Sequence, residues 1–183
     1  MDYITIFLSI FLVLILILIL NILGLWWVVQ LLLPLVHFGG PYVPTRQEDV
    51  ERMIKLAQIT STDRVADLGS GDGRIVIAAA KAGAADALGI EIHSGLVKKS
   101  QLSAKLAHLT NARFFAQSFW KTDFSDRTVI FLYQVPYTMR RLEKKLHDEL
   151  PIGARIISND FKFVDWKPVS EHGRIRVYTK SSL

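Results

Sequence analysis

From residue 4 to residue 36 the chain is almost wholly apolar, broken only by Thr5, Ser9, Asn21, Gln30 and Pro34. A helix needs about 20 such residues to cross a bilayer, so this run can span one with some tilt. Beyond it the pattern changes. Val50, Met53, Ile54 and Ala57 recur at helical spacing, which predicts an amphipathic helix over 46–58, with Thr45 and Glu48 placed to form a capping box. From Asp63 onward short apolar runs alternate with amphipathic segments. The runs predict strands over 64–68, 85–92, 112–117, 128–133 and 155–158, and the segments between them predict helices over 73–82, 93–109 and 137–150. Leu102, Leu106 and Leu109 would share one face of the second of these helices, and Met139, Leu142, Leu146 and Leu150 the inner face of the third. Residues 174–179 alternate as a last strand, paired with a segment near Val169. Such alternation specifies an α/β fold, a Rossmann-like doubly wound sheet preceded by a transmembrane helix. The expected divisions are an anchor over 1–36, a linker and entry helix over 37–58, and the α/β domain over 59–183. The Gly-Gly-Pro and Val-Pro steps between His37 and Thr45 read as a connecting loop.

The apolar run is too long for a cleaved signal peptide and lacks a basic leading segment and a small-residue cleavage site. One membrane helix is the expectation, and two half-helices meeting near Asn21 to Gly24 are the variant. Only Asp2 flanks the run on its N-terminal side, whereas Arg46, Arg52 and Lys55 follow it, which places the globular part on the cytoplasmic or an equivalent inner side of a single-pass protein. Trp26 and Trp27 fit either an interfacial or a lipid-facing position. All 22 Lys and Arg and 16 of the 17 acids lie beyond residue 45, a balance of +6 that suits an anionic leaflet without requiring one. Arg140, Arg141, Lys144 and Lys145 fall on the polar face of one helix, which reads as a solvated face or as a patch for anionic headgroups. The absence of cysteine excludes disulfides, thiolate-zinc sites and iron–sulfur chemistry. His37, His93, His108, His147 and His172 show no metal-ligand spacing, so no metal is expected, and no nucleic acid partner is expected either.

The candidate chemistry lies in Asp67-Leu68-Gly69-Ser70-Gly71-Asp72-Gly73-Arg74, between a predicted strand and a predicted helix. Glycines at 69, 71 and 73 permit a tight turn and a close approach to a bulky ligand, and the following helix points its free N–H groups at it. A phosphate-binding loop of the Gly-x-x-x-x-Gly-Lys type is absent. The dinucleotide spacing Gly-x-Gly-x-x-Gly is also not met, because position 74 is Arg. A pyrophosphate would be repelled by Asp67 and Asp72, whereas a cationic nucleoside ligand would be attracted. Glu91, at the end of the second strand, is placed to accept both hydroxyls of a ribose.

The pattern Asp-x-Gly-x-Gly-x-Gly resembles motif I of the class I S-adenosylmethionine-dependent methyltransferases. Together with Pro41-Tyr42-Val43-Pro44-Thr45, Gly89-Ile90-Glu91, Leu142-Glu143-Lys144-Lys145-Leu146 and Trp166-Lys167-Pro168, it is similar to the membrane-anchored protein-lysine methyltransferases of the FAM173 type over residues 41–168. Those act on the adenine nucleotide translocase and the c-ring protein of the ATP synthase. A more distant likeness is to the Dot1-type histone lysine methyltransferases. The resemblance implies a seven-strand methyltransferase sheet, S-adenosylmethionine as cofactor, and a membrane-protein substrate beside the lipid bilayer. It implies cofactor contacts from Tyr42, Thr45, Asp67, Gly69, Ser70, Gly71, Gly73, Glu91 and Ser118. Ser118 departs from the family, which tends to carry an acid there for the adenine amino group; Gln117 or Ser118 can supply that hydrogen bond instead.

A lysine acceptor must lose its proton before transfer, which calls for a base or a low-dielectric channel. Tyr42, Tyr133, Pro136 and Asp160 are the candidates to line that channel, with Gln134, Tyr137 and Asn159 beside them. Two other readings stay open: a lipid or small-molecule methyltransferase, and a non-catalytic binding module tethered to the membrane. A dehydrogenase is disfavoured by the loop.

Overall fold

The computed structural model describes residues 2–37 and 42–181 and divides into two compact units, Met1–Pro41 and Tyr42–Leu183. The expected loop over 38–41 lies outside the described residues. The first unit is one continuous helix, α1 (Tyr3–His37). It passes through Asn21 to Gly24 without a break, so the two-half-helix variant does not form. Residues Tyr3–Val29 are long and apolar enough to cross a membrane and are exposed throughout. The few polar side chains satisfy themselves within the helix: Thr5 Oγ1 donates to the Asp2 carbonyl at 2.7 Å, Ser9 Oγ to Thr5 at 2.8 Å, and Asn21 Nδ2 to Ile17 at 2.8 Å. Each thereby satisfies one donor on a nearby backbone carbonyl, which lowers the cost of placing it in hydrocarbon.

The second unit runs α2 (Gln47–Ala57), β1 (Arg64–Leu68), α3 (Arg74–Lys81), β2 (Asp86–Glu91), α4 (Ser94–Leu106), β3 (Ala112–Ala116), β4 (Val129–Leu132), α5 (Pro136–Glu149), β5 (Arg155–Asn159), β6 (Ser170–His172) and β7 (Ile175–Thr179). The seven strands form one sheet in the order β3-β2-β1-β4-β5-β7-β6. β1 to β5 are parallel, and β7 is inserted antiparallel between β5 and β6. This is the doubly wound sheet expected from the alternation, and the predicted strands are matched to within a few residues.

Strand period separates the core into two faces. Val65, Val129, Phe131 and Ile157 pack with Val50 and Met53 of α2 and with Ile75, Val76 and Ala79 of α3. Their neighbours Ala66, Leu68, Ile130, Leu132 and Ile156 face Met139, Leu142, Leu146 and Leu150, the inward face expected for the third amphipathic helix. α4 departs from expectation. Its buried residues are Val97, Ser100 and Ala104, while Leu102 and Leu106 are exposed. The small residues let α4 approach the sheet closely, which a leucine ridge could not. The capping box also fails: Arg46 occupies the cap position of α2 without a side-chain bond, and Thr45 is buried. Nor is the basic face of α5 merely solvated. Arg141 lies 4.2 Å over the Trp120 ring, Lys144 pairs with Asp148 at 2.6 Å, and Lys145 is largely buried, donating to the Thr122 carbonyl at 2.7 Å and pairing with Glu149.

The N-terminal ends of the parallel strands are stitched by ions. Asp86 takes Arg127 at 2.5 Å and Arg113 at 2.7 Å. Asp63 accepts from Arg155 Nη2 at 2.5 Å, Thr128 Oγ1 at 2.7 Å and the Thr60 N–H at 2.7 Å, tying the start of β1 to β4 and β5. Burial alone would raise the Asp63 pKa, but these donors outweigh it and hold it at about 2. A depressed carboxylate stabilises the fold above its unfolded pKa near 3.8 and loses that contribution as pH falls through about 2. We expect Asp63→Asn to cost about 2 kcal/mol at neutral pH, with the gap from wild type closing toward pH 2 in thermal unfolding of the full chain in detergent.

Candidate functional site

At the opposite, carboxyl ends of the strands the chain leaves β1 through residues 69–73. Gly69, Gly71 and Gly73 adopt φ values of 80°, 52° and 81°, left-handed conformations that favour glycine. Each also sits where a side chain already fills the space. A Cβ would lie 2.8 Å from Gln134 Nε2 at Gly69, 2.5 Å from the Tyr42 ring at Gly71, and 2.7 Å from Phe114 and Ser100 at Gly73. The loop is closed onto β2, with the Gly69 and Ser70 N–H groups donating to the Ile90 carbonyl at 2.8 and 3.0 Å.

Glu91 pins the loop's apex. Its Oε2 accepts the Gly71 N–H at 3.0 Å and its Oε1 accepts the His93 N–H at 2.9 Å. Each carboxylate oxygen retains acceptor capacity beyond these bonds. Asp67, aligned in register with Gly89 of β2, is 3% exposed. Every influence on its carboxyl pushes the same way, burial first and then the charges of Glu91 and Asp72, and its pKa rises to about 8. Asp72 behaves differently. Arg74 grips it with Nε at 2.8 Å and Nη2 at 2.7 Å, Lys99 stands 3.8 Å away, and its pKa falls. The attraction expected of both loop acids therefore rests on Asp67, since Asp72 is already paired. Arg74 Nη1 donates to the Thr45 carbonyl at 2.6 Å, so one guanidinium clasps the entry segment 42–46 to the loop. The Tyr42 ring closes over Gly71, its pKa raised by burial and then by Asp72. Among the described residues no group of acids and histidines converges as a set of metal ligands.

The structure brings Tyr42, Thr45, Asp67, Gly69, Ser70, Gly71, Gly73 and Glu91 to this one end of the sheet. Ser118 follows two residues after Ala116, the β3 partner of Glu91, and its Oγ accepts the Trp120 N–H at 3.3 Å. Gln117 donates to Thr122 Oγ1 at 3.0 Å. Tyr133 and Asp160 stand immediately beyond β4 and β5, and Pro136 opens α5. Asp160 has φ 69°, an uncommon conformation for Asp, and is held there by a bidentate pair with Arg174. Arg174 keeps the Asp160 carboxyl low, aided by Tyr133, while the Tyr133 hydroxyl is raised by burial and then by Asp160. Tyr137 is 70% exposed and stands apart from this cluster. Two polar atoms here are buried without a partner, Ser70 Oγ and Asn159 Oδ1.

Sequence reasoning missed Arg174 and the filling of Gly73 by Ser100 and Phe114. A glycine inside a strand, Gly89, was the available signal for the latter, since its Cβ would lie 2.5 Å from Phe114. Arg174 carried no signal, because only the antiparallel pairing of β7 with β5 brings it to Asp160.

The profile of the ANTKMT methyltransferase domain matches residues 67–170, the span that contains the loop, Glu91 and the ends of β4 and β5. The chain belongs to this methyltransferase family. It is 35% identical over 134 residues to the adenine nucleotide translocase lysine N-methyltransferase of Mus musculus, covering 73% of this chain and 58% of that protein. It is 35% identical over 130 residues to a protein-lysine N-methyltransferase of Saccharolobus islandicus (strain REY15A), covering 70% and 81%. Among solved structures, an RNA methyltransferase from Salinibacter ruber in complex with S-adenosyl-L-homocysteine superposes with a TM-score of 0.71 at 38% identity, covering 77% of this chain and 95% of that one. The chain thus spans just under three-fifths of the length of the mouse relative.

If the Arg74 clasp fixes the entry segment, Arg74→Ala will accelerate amide exchange across 43–48 by more than about tenfold while β1 and β4 amides keep wild-type protection, as read by hydrogen–deuterium exchange.

Proposed function

We propose that this chain is a membrane-anchored, S-adenosylmethionine-dependent methyltransferase that methylates a lysine side chain of a membrane protein. The observation that carries the reading is Asp67, a buried acid with no cation beside it, at the lip of a glycine loop whose other acid, Glu91, keeps free acceptor capacity. When bound, S-adenosylmethionine supplies an electrophilic methyl group on a sulfonium, together with an ammonium.

The residues present fit that group. Glu91 would accept the ribose hydroxyls while its backbone bonds keep the loop in shape. Asp67 offers negative charge to the cationic end. The glycines leave backbone, not side chain, facing the ligand. Ser118 and Gln117 would meet the adenine edge, and Tyr42 and Thr45 would cover the site from the entry segment. The Tyr42 ring already lies over Gly71.

Tyr133, Pro136 and Asp160 would line the acceptor's path. Asp160 is paired with Arg174 and its carboxyl is held low, which makes it a poor proton acceptor. Its part is to orient the Tyr133 hydroxyl, which stays protonated and can accept a hydrogen bond from an incoming amine. The lysine would lose its proton to water before entering, and the low-dielectric passage favours its neutral form. Loss of either group should therefore slow transfer without abolishing it.

The lysine N-methyltransferase activities of the mouse and archaeal relatives support a lysine acceptor, and the apolar helix Tyr3–Val29 supports a target in a membrane. The domain would then face the cytoplasmic or an equivalent inner side. Incubating membranes with the full chain and radiolabelled S-adenosylmethionine should label a polypeptide on lysine. Label confined to extracted lipid, or to RNA, would overturn the lysine reading.

Two further outcomes follow. Glu91→Ala should weaken S-adenosylmethionine binding by about 2 kcal/mol, roughly thirtyfold, in calorimetric titration. Because the cation favours ionised Asp67, whose pKa in the free protein is about 8, affinity should rise from about pH 6 to about pH 8 and level off above. Asp67→Asn should bind more weakly and show no such rise.

A further inference from the structure

A second concave surface lies away from the glycine loop, between α2 and the β6–β7 edge of the sheet. It is a groove of about 830 Å³ lined by Arg52, Lys55 and Leu56 of α2 and by Val169, His172 and Arg155. No acid lines it. Arg155 at one end is already paired with Asp63, and the neighbouring Arg176 with Glu171, which leaves Arg52 and Lys55 outside the ion pairs among the described residues. The guanidinium of Arg52 reaches over the β6–β7 turn, 4.0 Å from where a Cβ on Gly173 would stand. Strand period puts Ser170 and His172 on one face of β6 and Glu171 on the other, where it pairs with Lys162 and Arg176. The groove therefore presents two unpaired cations and an imidazole above an apolar strip made by Leu56, Val169 and Val177. Val169 is 64% exposed.

We propose that this groove binds the headgroup of an anionic phospholipid, with the phosphate between Arg52 and Lys55 and the glycerol end against Leu56 and Val169. Charge complementarity selects an anion, and the apolar strip selects one that carries hydrocarbon. The chain itself selects lipid over a soluble phosphate. Only nine residues separate α1 from α2, and at full extension they span at most about 32 Å, which bounds how far α2 can stand from the helix end. Basic side chains that come within a Debye length, about 8–10 Å, of an anionic leaflet each strengthen attachment about fivefold. The inference rests on the membrane anchoring proposed above and is independent of the methyl donor.

The chain has no cysteine, so Val169→Cys provides a unique attachment point for a fluorophore in the groove, and Leu106→Cys one on the exposed face of α4. The full chain carrying either label is reconstituted into nanodiscs of phosphatidylcholine, with or without phosphatidylglycerol, and quenching by acrylamide is measured. Phosphatidylglycerol should reduce quenching at residue 169 severalfold and leave residue 106 unchanged. Arg52→Gln with Lys55→Gln should remove the protection while S-adenosylmethionine binding persists. Equal quenching in both lipids would overturn the proposal, as would equal protection at both labels. Protection in phosphatidylcholine discs on adding inorganic phosphate alone would assign the groove to a soluble anion and overturn the lipid reading. Failure of the chain to enter the discs would instead overturn the anchor, and the tether argument with it.

Discussion

An acid with nothing to neutralise it governs the working end of this molecule. Asp67 is carried on a strand whose other buried residues are core, so it is buried by the same packing that orders the sheet. The fold tolerates it by letting it hold a proton, and the loop beside it turns on three left-handed glycines against which Gln134, Tyr42, Phe114 and Ser100 pack. Glu91 and Arg74 then do complementary work, the first fixing the loop to backbone and the second drawing the entry segment over it while pairing with Asp72. A buried acid so placed favours a cationic ligand over an anionic one.

The two ends of the parallel strands divide the tasks of stability and binding. At their starts, Asp63 and Asp86 gather arginines from β1, β3, β5 and the approach to β4 into ion pairs. At their finishes, polar atoms such as Ser70 Oγ and Asn159 Oδ1 are left without partners and one residue, Asp160, is held in an uncommon backbone conformation. Unmet polar atoms beside the glycine loop suit a binding site, and the ion pairs at the other end of the strands offset their cost.

Much of this is legible in the sequence because it is written in short-range pattern. Apolar runs mark the strands, and the acid–glycine loop between a strand and a helix marks the site. The rest depends on contacts that spacing does not encode. Leu102 and Leu106 form a plausible inner ridge by period alone, yet Ser100 and Ala104 face inward because α4 must lie close over Gly73 and Gly89. Thr45 has the chemistry of a cap, but its carbonyl is taken by an arginine 29 residues away. The Arg174–Asp160 pair needs the reversed strand β7, whose direction no local pattern announces.

Over Tyr3–Val29 the helix α1 is apolar nearly all the way round, and Ser9 and Asn21 each donate to one of its own carbonyls. Such a helix has no face by which to prefer a partner. If it lies in a bilayer, its contribution is one of dimensionality: it confines the domain to a thin shell and raises the effective concentration of whatever shares that membrane. Discrimination among those neighbours then falls entirely to the surfaces of the domain it carries, and exchanging the helix for another equally featureless one should alter where the protein acts but not what it chooses.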